Sequence, residues 1–278
     1  MGTVAGIYRY PVKSMQGEEI EAGELVEVGL AGDRVYALQE VETGFIVSAK
    51  HPRKWERVFE CSARYLPSFD QGTIEITLPS GRMVHSDDPD INRQISEAIG
   101  REVRLVRASE GRHVREANRA SPEASPGEED IREETMGRAT PPGSFVDFAP
   151  IHVITTGTLK RFRELYPAGD FAASRFRPNV LIATDDIGFV EDAWLGKTLC
   201  VGSVETFVFD PSVRCIVTTL ALGELPRDPQ ILRTVALHHS APSYTEAPGT
   251  MLRAIAGVYL RILSGGTIRK NDGVSVRG

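Results

Sequence analysis

A change in composition at residues 121–143 most constrains how this chain of 278 residues can fold. This stretch contains four prolines, six acidic residues and two basic residues, with almost no large apolar side chain. It cannot bury enough apolar surface to offset the entropy lost on ordering. We therefore predict two domains, at 1–107 and 145–278, joined by an acidic, proline-rich linker or mobile loop at 108–144. Long loops are often functional, so its ends could order over a site.

On both sides of this stretch, short apolar runs alternate with turn residues. Residues 34–40 are one such run, typical of a β-strand, and residues 216–220 are predicted as another. Three helices interrupt the pattern. One is capped by Asp88 and closed by Gly100, and the others span 156–166 and 228–237. The pattern predicts an α+β, β-rich protein.

The charge and the cysteines exclude several classes of protein. The net charge of -6 argues against nucleic-acid binding, which requires a basic surface. No window approaches the roughly 20 apolar residues of a membrane span, and the first residues lack a signal-peptide pattern. We expect a cytoplasmic protein without a membrane span. Cys61, Cys200 and Cys215 are odd in number and widely spaced, so neither a disulfide framework nor a structural zinc site is indicated.

Three short segments carry the chemistry of the chain. They are Tyr10-Pro11-Val12-Lys13-Ser14, Arg175-Phe176-Arg177-Pro178-Asn179 and Val213-Arg214-Cys215-Ile216-Val217-Thr218-Thr219. A lone cysteine in an apolar run is more often a small buried hydrophobe than a ligand. Together and in this order, however, the segments resemble the signature of the MOSC family, molybdenum-cofactor proteins that include amidoxime-reducing enzymes. The resemblance extends over residues 3–106 and 146–278.

The resemblance implies that Cys215 is the catalytic metal ligand, because Arg-Cys-x-x-Thr-Thr is where the family places its molybdenum-binding cysteine. A thiolate is a soft ligand that suits such a centre, and the neighbouring Arg214 can lower the pKa of the thiol. In the family the molybdenum cofactor (molybdenum–molybdopterin) carries the chemistry. The protein supplies geometry and charge.

Further residues fall at family positions that contact the cofactor. The resemblance implies that its phosphate is held by Lys13, Ser14, Arg34 and Arg177, since guanidinium grips phosphate bidentately and lysine acts as a point charge. On composition alone these would be surface charges. The other implied contacts are Asn179, which would position the pterin, together with Thr155, Thr156, Arg214 and Tyr259. Thr156 could equally be a helix N-cap.

The chain departs from the family pattern beside the cysteine. Many relatives continue Thr-Thr-Val-Asp-Pro, whereas this chain has Leu220 and Ala221 after Thr219, so the aspartate is absent. Val213 stands where close relatives often have serine. These differences leave the expected metal ligand and phosphate site intact and alter the rim where substrate would bind.

The resemblance implies an N-terminal MOSC-type β-barrel domain and a C-terminal MOSC β-barrel domain with a few helices, with the cofactor in a cleft between them. It implies a molybdenum-dependent oxidoreductase that reduces small N-hydroxylated substrates. No flavin, haem or iron–sulfur motif occurs, so electrons would come from a separate reductase or ferredoxin-like protein. Two alternatives stay open. One is a non-catalytic cofactor or sulfur carrier using Cys215, and the other is a barrel that binds nothing.

Overall fold

The computed structural model describes residues 2–66, 72–109, 111, 113–121 and 128–278. Within these residues the strands are β1 (Gly2–Arg9), β2 (Glu18–Ile20), β3 (Ala22–Val26), β4 (Gly29–Leu30), β5 (Tyr36–Glu40), β6 (Ser62–Tyr65), β7 (Ile74–Thr77), β8 (Met83–His85), β9 (Val103–Arg107), β10 (Val114–Asn118), β11 (Ile131–Thr135), β12 (Ile151–Thr155), β13 (Val180–Ala183), β14 (Thr198–Val201), β15 (Val204–Val213), β16 (Ser240–Pro242), β17 (Met251–Arg253), β18 (Ile255–Ser264), β19 (Gly266–Arg269) and β20 (Gly273–Arg277). The helices are α1 (Pro52–Glu60), α2 (Ile91–Ile99), α3 (Thr156–Leu165), α4 (Ala173–Phe176) and α5 (Pro229–His238).

Seven strands form a closed barrel, which confirms the β-rich prediction. Their order is β13, β12, β18, β15, β14, β20 and β1, and the pairing of β1 with β13 closes the ring. Only the β12–β13 pair in this ring is parallel. Branched apolar side chains fill the interior, including Val153, Ile182 and Val258, each fully buried. Such residues pack well on a pleated sheet, which explains why these segments become strands.

Strand β1 lies in the predicted N-terminal domain but pairs with strands of the predicted C-terminal domain. β1 pairs with β13, where Ile7 lies opposite Val180, and with β20, where Thr3 lies opposite Gly273. Val4 and Ile7 of β1 are buried in the barrel core. The boundaries at 107 and 145 stay a prediction. In space, the N-terminal strand completes a barrel built mainly from the second half of the chain.

Strands β5 to β9 surround a second core with α1 and α2. The pair β5–β9 and the sheet β6–β7–β8 pack there against Trp55, Ile76 and Ile95. The predicted cap of α2 is corrected from Asp88 to Asp90, because the Asp88 carboxylate instead accepts from the Asp90 amide at 2.8 Å and turns the chain before the helix begins. Gly100 closes α2 with φ +75°, as predicted.

A hairpin lies inside the segment predicted to be a linker. β10 and β11 pair antiparallel from Val114 opposite Thr135 to Asn118 opposite Ile131, while residues 122–127 lie outside the described residues. β10 also forms a backbone hydrogen bond with the segment that follows β5. The Ile46 amide donates to the Val114 carbonyl at 2.8 Å. Residues 114–118 and 131–135 therefore form paired strands within the predicted linker, and ion pairs and backbone hydrogen bonds help to hold them.

Helices α3 and α5 lie where the sequence predicts helices. The Asp228 side chain caps α5 by accepting from the Gln230 amide at 2.9 Å. Buried aromatic rings fix α3, with Phe162 stacked on Phe171 at 5.6 Å between ring centres. Among the described residues, no helix has the length and apolar character needed to cross a membrane.

Candidate functional site

A pocket of about 100 Å³ is lined by residues from both parts of the chain. It adjoins a larger cleft of about 1230 Å³. The side chains that line both cavities are Lys50, Asp147, Phe148, Arg214, Cys215 and Tyr259. The predicted site residues that line the pocket are Lys13, Ser14, Arg34, Arg177, Asn179, Arg214, Cys215 and Tyr259. The three sequence segments therefore meet at one place.

Cys215 lies at the junction of the two cavities, directly after β15. The strand predicted at 216–220 is instead a 3-10 helix, Ile216–Thr219, because the Thr218 amide and hydroxyl both turn back to the Cys215 carbonyl, at 3.1 and 3.0 Å. Burial opposes ionisation of the thiol. The charge of Lys50 and the Val217 amide outweigh this, with smaller contributions from nearby arginines, so the pKa of Cys215 is lowered. The thiol is thus poised to act as a thiolate ligand.

Backbone strain concentrates around the pocket. Ser14, Arg34 and Arg177 have φ values of 67°, 50° and 51°, in the left-handed region that non-glycine residues rarely occupy. Ala254, with φ 58°, accepts the Arg214 amide through its carbonyl at 2.7 Å. Each such residue costs on the order of 1 kcal/mol or more, and such strain persists where function requires it.

Two arginines that line the pocket also contact the ring of Tyr10. The guanidinium of Arg34 lies 4.7 Å from the centre of the Tyr10 ring, and that of Arg177 lies 4.2 Å from it. Asp33 forms an ion pair with Arg34. Burial raises the pKa of Tyr10 to about 12, so the phenol stays neutral. Burial lowers the pKa of Arg177 to about 10, which leaves its guanidinium charged at neutral pH.

Three buried arginine nitrogens have no hydrogen-bond partner among the described residues, and two of them belong to side chains that line the pocket. These two are Nη2 of Arg177 and Nε of Arg214. The other nitrogens of Arg214 are bonded to the Ser212 hydroxyl at 2.9 Å and to the Phe176 carbonyl at 2.5 Å. Buried donors are nearly always paired, so these two fit a ligand rich in acceptor oxygens. An anionic phosphate or pterin group has that chemistry.

Three residues near the pocket belong to no sequence motif. They are Lys50, Arg115 and Asp147. The Asp147 carboxylate bonds with Lys13, with Lys50 at 3.2 Å and with Arg115, which also pairs with Glu134 at 2.9 Å. Burial, reinforced by repulsion from Arg115, lowers the pKa of Lys50 to about 7 and that of Lys13 well below its usual range. Each residue comes from a separate stretch without a local motif, so only the tertiary structure brings them together.

Asn179 and Tyr259 line the pocket but make structural contacts as well. The Asn179 side chain accepts from the His152 amide at 3.2 Å and donates to the Tyr8 carbonyl at 3.4 Å, bridging β12 and β1. Its amide group therefore already has partners on both sides. The Tyr259 ring packs on Phe148, with 5.2 Å between ring centres. Tyr259 thus forms part of the aromatic wall shared by the pocket and the cleft.

Thr155 and Thr156 are not among the residues that line the pocket, and their contact with the cofactor stays a prediction. The hydroxyl of Thr155 accepts from the Thr158 amide at 3.0 Å and donates to Glu191 at 2.9 Å. Thr155, rather than Thr156, is therefore the N-cap of α3. The Thr156 hydroxyl accepts from the Thr184 amide at 3.0 Å. Both hydroxyls are used to join α3 to the barrel.

Comparison with known proteins defines the class. The family model for the MOSC N-terminal beta barrel domain matches residues 1–110, and that for the MOSC domain matches residues 141–275. The chain belongs to the MOSC family. It is similar to mitochondrial amidoxime reducing component 2 of Macaca fascicularis and of Homo sapiens, each 24% identical across 99% of this chain and 83% of the relative. A solved structure, the YUAD protein of Bacillus subtilis, superposes with a TM-score of 0.46 at 10% identity, over 99% of this chain and 94% of that one.

Proposed function

We propose that this protein binds the molybdenum cofactor, with Cys215 as the protein ligand to molybdenum, and that it reduces small N-hydroxylated substrates. The observation that carries the proposal is the placement of Cys215. Its thiol, with a lowered pKa, lies between a cation-walled pocket and an open cleft. The name of the curated relatives, amidoxime reducing component, supports the reaction class.

The pocket residues have distinct roles in this proposal. Lys13, Arg34 and Arg177 hold the phosphate of the cofactor, because their charges converge where water is largely excluded and ionic contacts are stronger than in solvent. The unpartnered Nε of Arg214 donates to the pterin side. When bound, the cofactor would supply a molybdenum centre that passes two electrons to the substrate.

The cleft and an external donor complete the proposal. The cleft of about 1230 Å³ beside Cys215 admits the substrate. Reduction of the substrate consumes electrons, so a separate reductase or ferredoxin-like protein is part of the proposal. We also infer that both proteins act in the cytoplasm.

Molybdenum and pterin content tests the proposal. Wild type, Cys215→Ala and the control Cys200→Ala are purified from the same cofactor-competent host. Cys200 is buried beside Arg277 rather than in the pocket, so its variant controls for loss of a thiol. We expect near-stoichiometric metal in wild type and the control, with loss in Cys215→Ala. The proposal would be rejected if wild type contained neither metal nor pterin while a control enzyme from the same host was loaded with cofactor.

A second candidate function rests on the exposure of Cys215 to the cleft. A thiol with a lowered pKa that lines an open cleft can attack the outer sulfur of a donor persulfide, release the donor as a thiol, and pass the sulfur to the thiol of another protein. Mass spectrometry of the same preparations distinguishes the two functions. A protein with one extra sulfur on Cys215, and no turnover of an aryl amidoxime when loaded and chemically reduced, would favour the carrier.

A further inference from the structure

Lys50 occupies the junction between the pocket and the cleft. It is one of the side chains that line both cavities together with Cys215. Its side chain is 13% exposed, and its carbonyl accepts the Asn118 amide at 2.7 Å, which fixes the backbone against β10. The Lys50 side chain therefore faces the same two cavities as the proposed metal ligand, Cys215.

A single carboxylate connects this ammonium group to solvent. Nζ of Lys50 lies 3.2 Å from Oδ2 of Asp147, and the Asp147 side chain is 38% exposed. Asp147 is also bonded to Lys13 and Arg115, so its one negative charge is divided among three cations. The other charged or titratable groups that act on Lys50 are Arg115, Cys215, Arg119 and Glu134. Burial, followed by repulsion from Arg115, outweighs the attraction of Cys215 and Glu134 and lowers the pKa of Lys50 to about 7.

The proposed reaction requires protons. For an amidoxime, R–C(NH2)=N–OH, two electrons and two protons give R–C(NH2)=NH and water. The N–O bond breaks, the oxygen keeps the bonding electron pair and takes one proton to leave as water, and the nitrogen receives the two electrons and the second proton. The electrons come from the external donor protein, but the protons must be delivered at the reacting atoms. Positioned proton donors typically contribute about 10²–10⁴-fold to such rates.

We propose that Lys50 is the proton donor of this reaction, giving a proton from its ammonium group to the leaving oxygen and regaining one from solvent through Asp147. This inference rests on the proposed function. Among the side chains shared by the two cavities, an arginine stays protonated in proteins, and Cys215 is engaged as the ligand. Lys50 combines a transferable proton with contact to a solvent-exposed carboxylate.

One test does not depend on turnover. Cofactor-free protein is labelled with acetic anhydride at a series of pH values, and mass spectrometry follows Lys50 and Lys54 in the same sample. Lys54 is the matched control, because its bonds with Glu40 and Glu116 raise its pKa despite some burial. Lys50 should reach half-maximal reactivity near pH 7, several pH units below Lys54. Equal midpoints, or a Lys50 that stays unreactive up to the midpoint of Lys54, would overturn the proposal.

The second test uses the loaded enzyme with a chemical reductant and an aryl amidoxime. Lys50→Arg keeps the charge but cannot release a proton, so kcat should fall at least about 100-fold with unchanged molybdenum content. Lys54→Arg should match wild type. Lys50→Ala should be partly rescued by added ethylamine, more strongly when the amine is protonated. Full activity in Lys50→Arg would reject the role of Lys50, whereas a loaded wild type without turnover would reject the proposed reaction and leave the labelling result standing.

Discussion

The Arg177 guanidinium lies 4.2 Å from the centre of the Tyr10 ring, on a residue whose own backbone is left-handed with φ 51°. Nη2 of the same guanidinium is buried and has no hydrogen-bond partner in the part of the chain that the structure describes. Cation–π contacts of this kind contribute about 1–2 kcal/mol when desolvated. The strain and the unpartnered donor together indicate that this residue is shaped for a ligand rather than for stability.

Two substitutions at Arg177 separate strain from binding. Arg177→Ala and Arg177→Gly both remove the guanidinium, but glycine also relieves the left-handed backbone. We expect the glycine variant to be more stable by about 1 kcal/mol in urea unfolding of cofactor-free protein. Both variants should lose pterin during purification. A glycine variant that is the less stable of the two would show that the backbone at Arg177 is unstrained.

The pKa of Lys50 makes stability depend on pH. It is about 7 in the folded protein, against about 10.4 for an ordinary lysine in the unfolded chain. Between these values the unfolded chain binds a proton that the folded protein does not, so the free energy of unfolding rises with pH. The cost of burying the charged lysine is thus fully present below about pH 7 and is relieved as the pH approaches 10.

Replacement of Lys50 by methionine should abolish this rise in the free energy of unfolding with pH. The difference in unfolding free energy, wild type minus Lys50→Met, should climb by up to about 1.4 kcal/mol per pH unit through that window. Urea titrations of cofactor-free protein at several pH values measure it. Parallel curves for the two proteins would mean that Lys50 titrates at the same pH in both states.

Arg115 fixes the β10–β11 hairpin beside the cleft. Its side chain is 3% exposed and pairs with Glu134 of the hairpin and with Asp147. Arg115→Met leaves both carboxylates with fewer partners, so we expect a loss of about 1–3 kcal/mol and faster amide exchange in the hairpin. Arg132→Met is the control, because Arg132 is exposed and pairs with Asp130. Equal exchange in both variants would contradict this role of Arg115.

Thr155 should matter for stability rather than for the cofactor. Thr155→Ala removes the N-cap of α3 and one partner of the buried Glu191. Loss of such a cap costs about 0.5–2 kcal/mol, measured by urea unfolding, while molybdenum and pterin content should stay at the wild-type level. A variant of normal stability that lacks cofactor would reverse the assignment.

The sequence predicts the site best where short motifs lie next to one another on the chain. Lys13 and Ser14 are adjacent, as are Arg214 and Cys215, so each pair reaches the pocket once its segment is placed. Thr155 also has a local sequence signal, but in the structure its side chain caps α3. A threonine at the end of a strand suits both roles, and only the packing of Glu191 decides between them.

Other features depend on contacts between distant segments. Lys50 and Asp147 meet across nearly a hundred positions of sequence, and neither belongs to a motif. The closure of the barrel by β1 likewise depends on pairing with β13 and β20, which the alternation of β1 alone does not specify. The pairing partner of a strand is set by the whole fold, whereas the alternation of apolar and polar residues along the strand is set by its local sequence.

The most direct test of the central claim is the number of sulfur atoms bound to molybdenum, measured by X-ray absorption at the molybdenum K-edge. Wild type is compared with Cys215→Ser, with cofactor supplied in excess so that both proteins are loaded. If Cys215 is the protein ligand, the variant should show one sulfur fewer and one oxygen more. An identical sulfur count in the two proteins would contradict the account, because the metal would then be held without this thiolate.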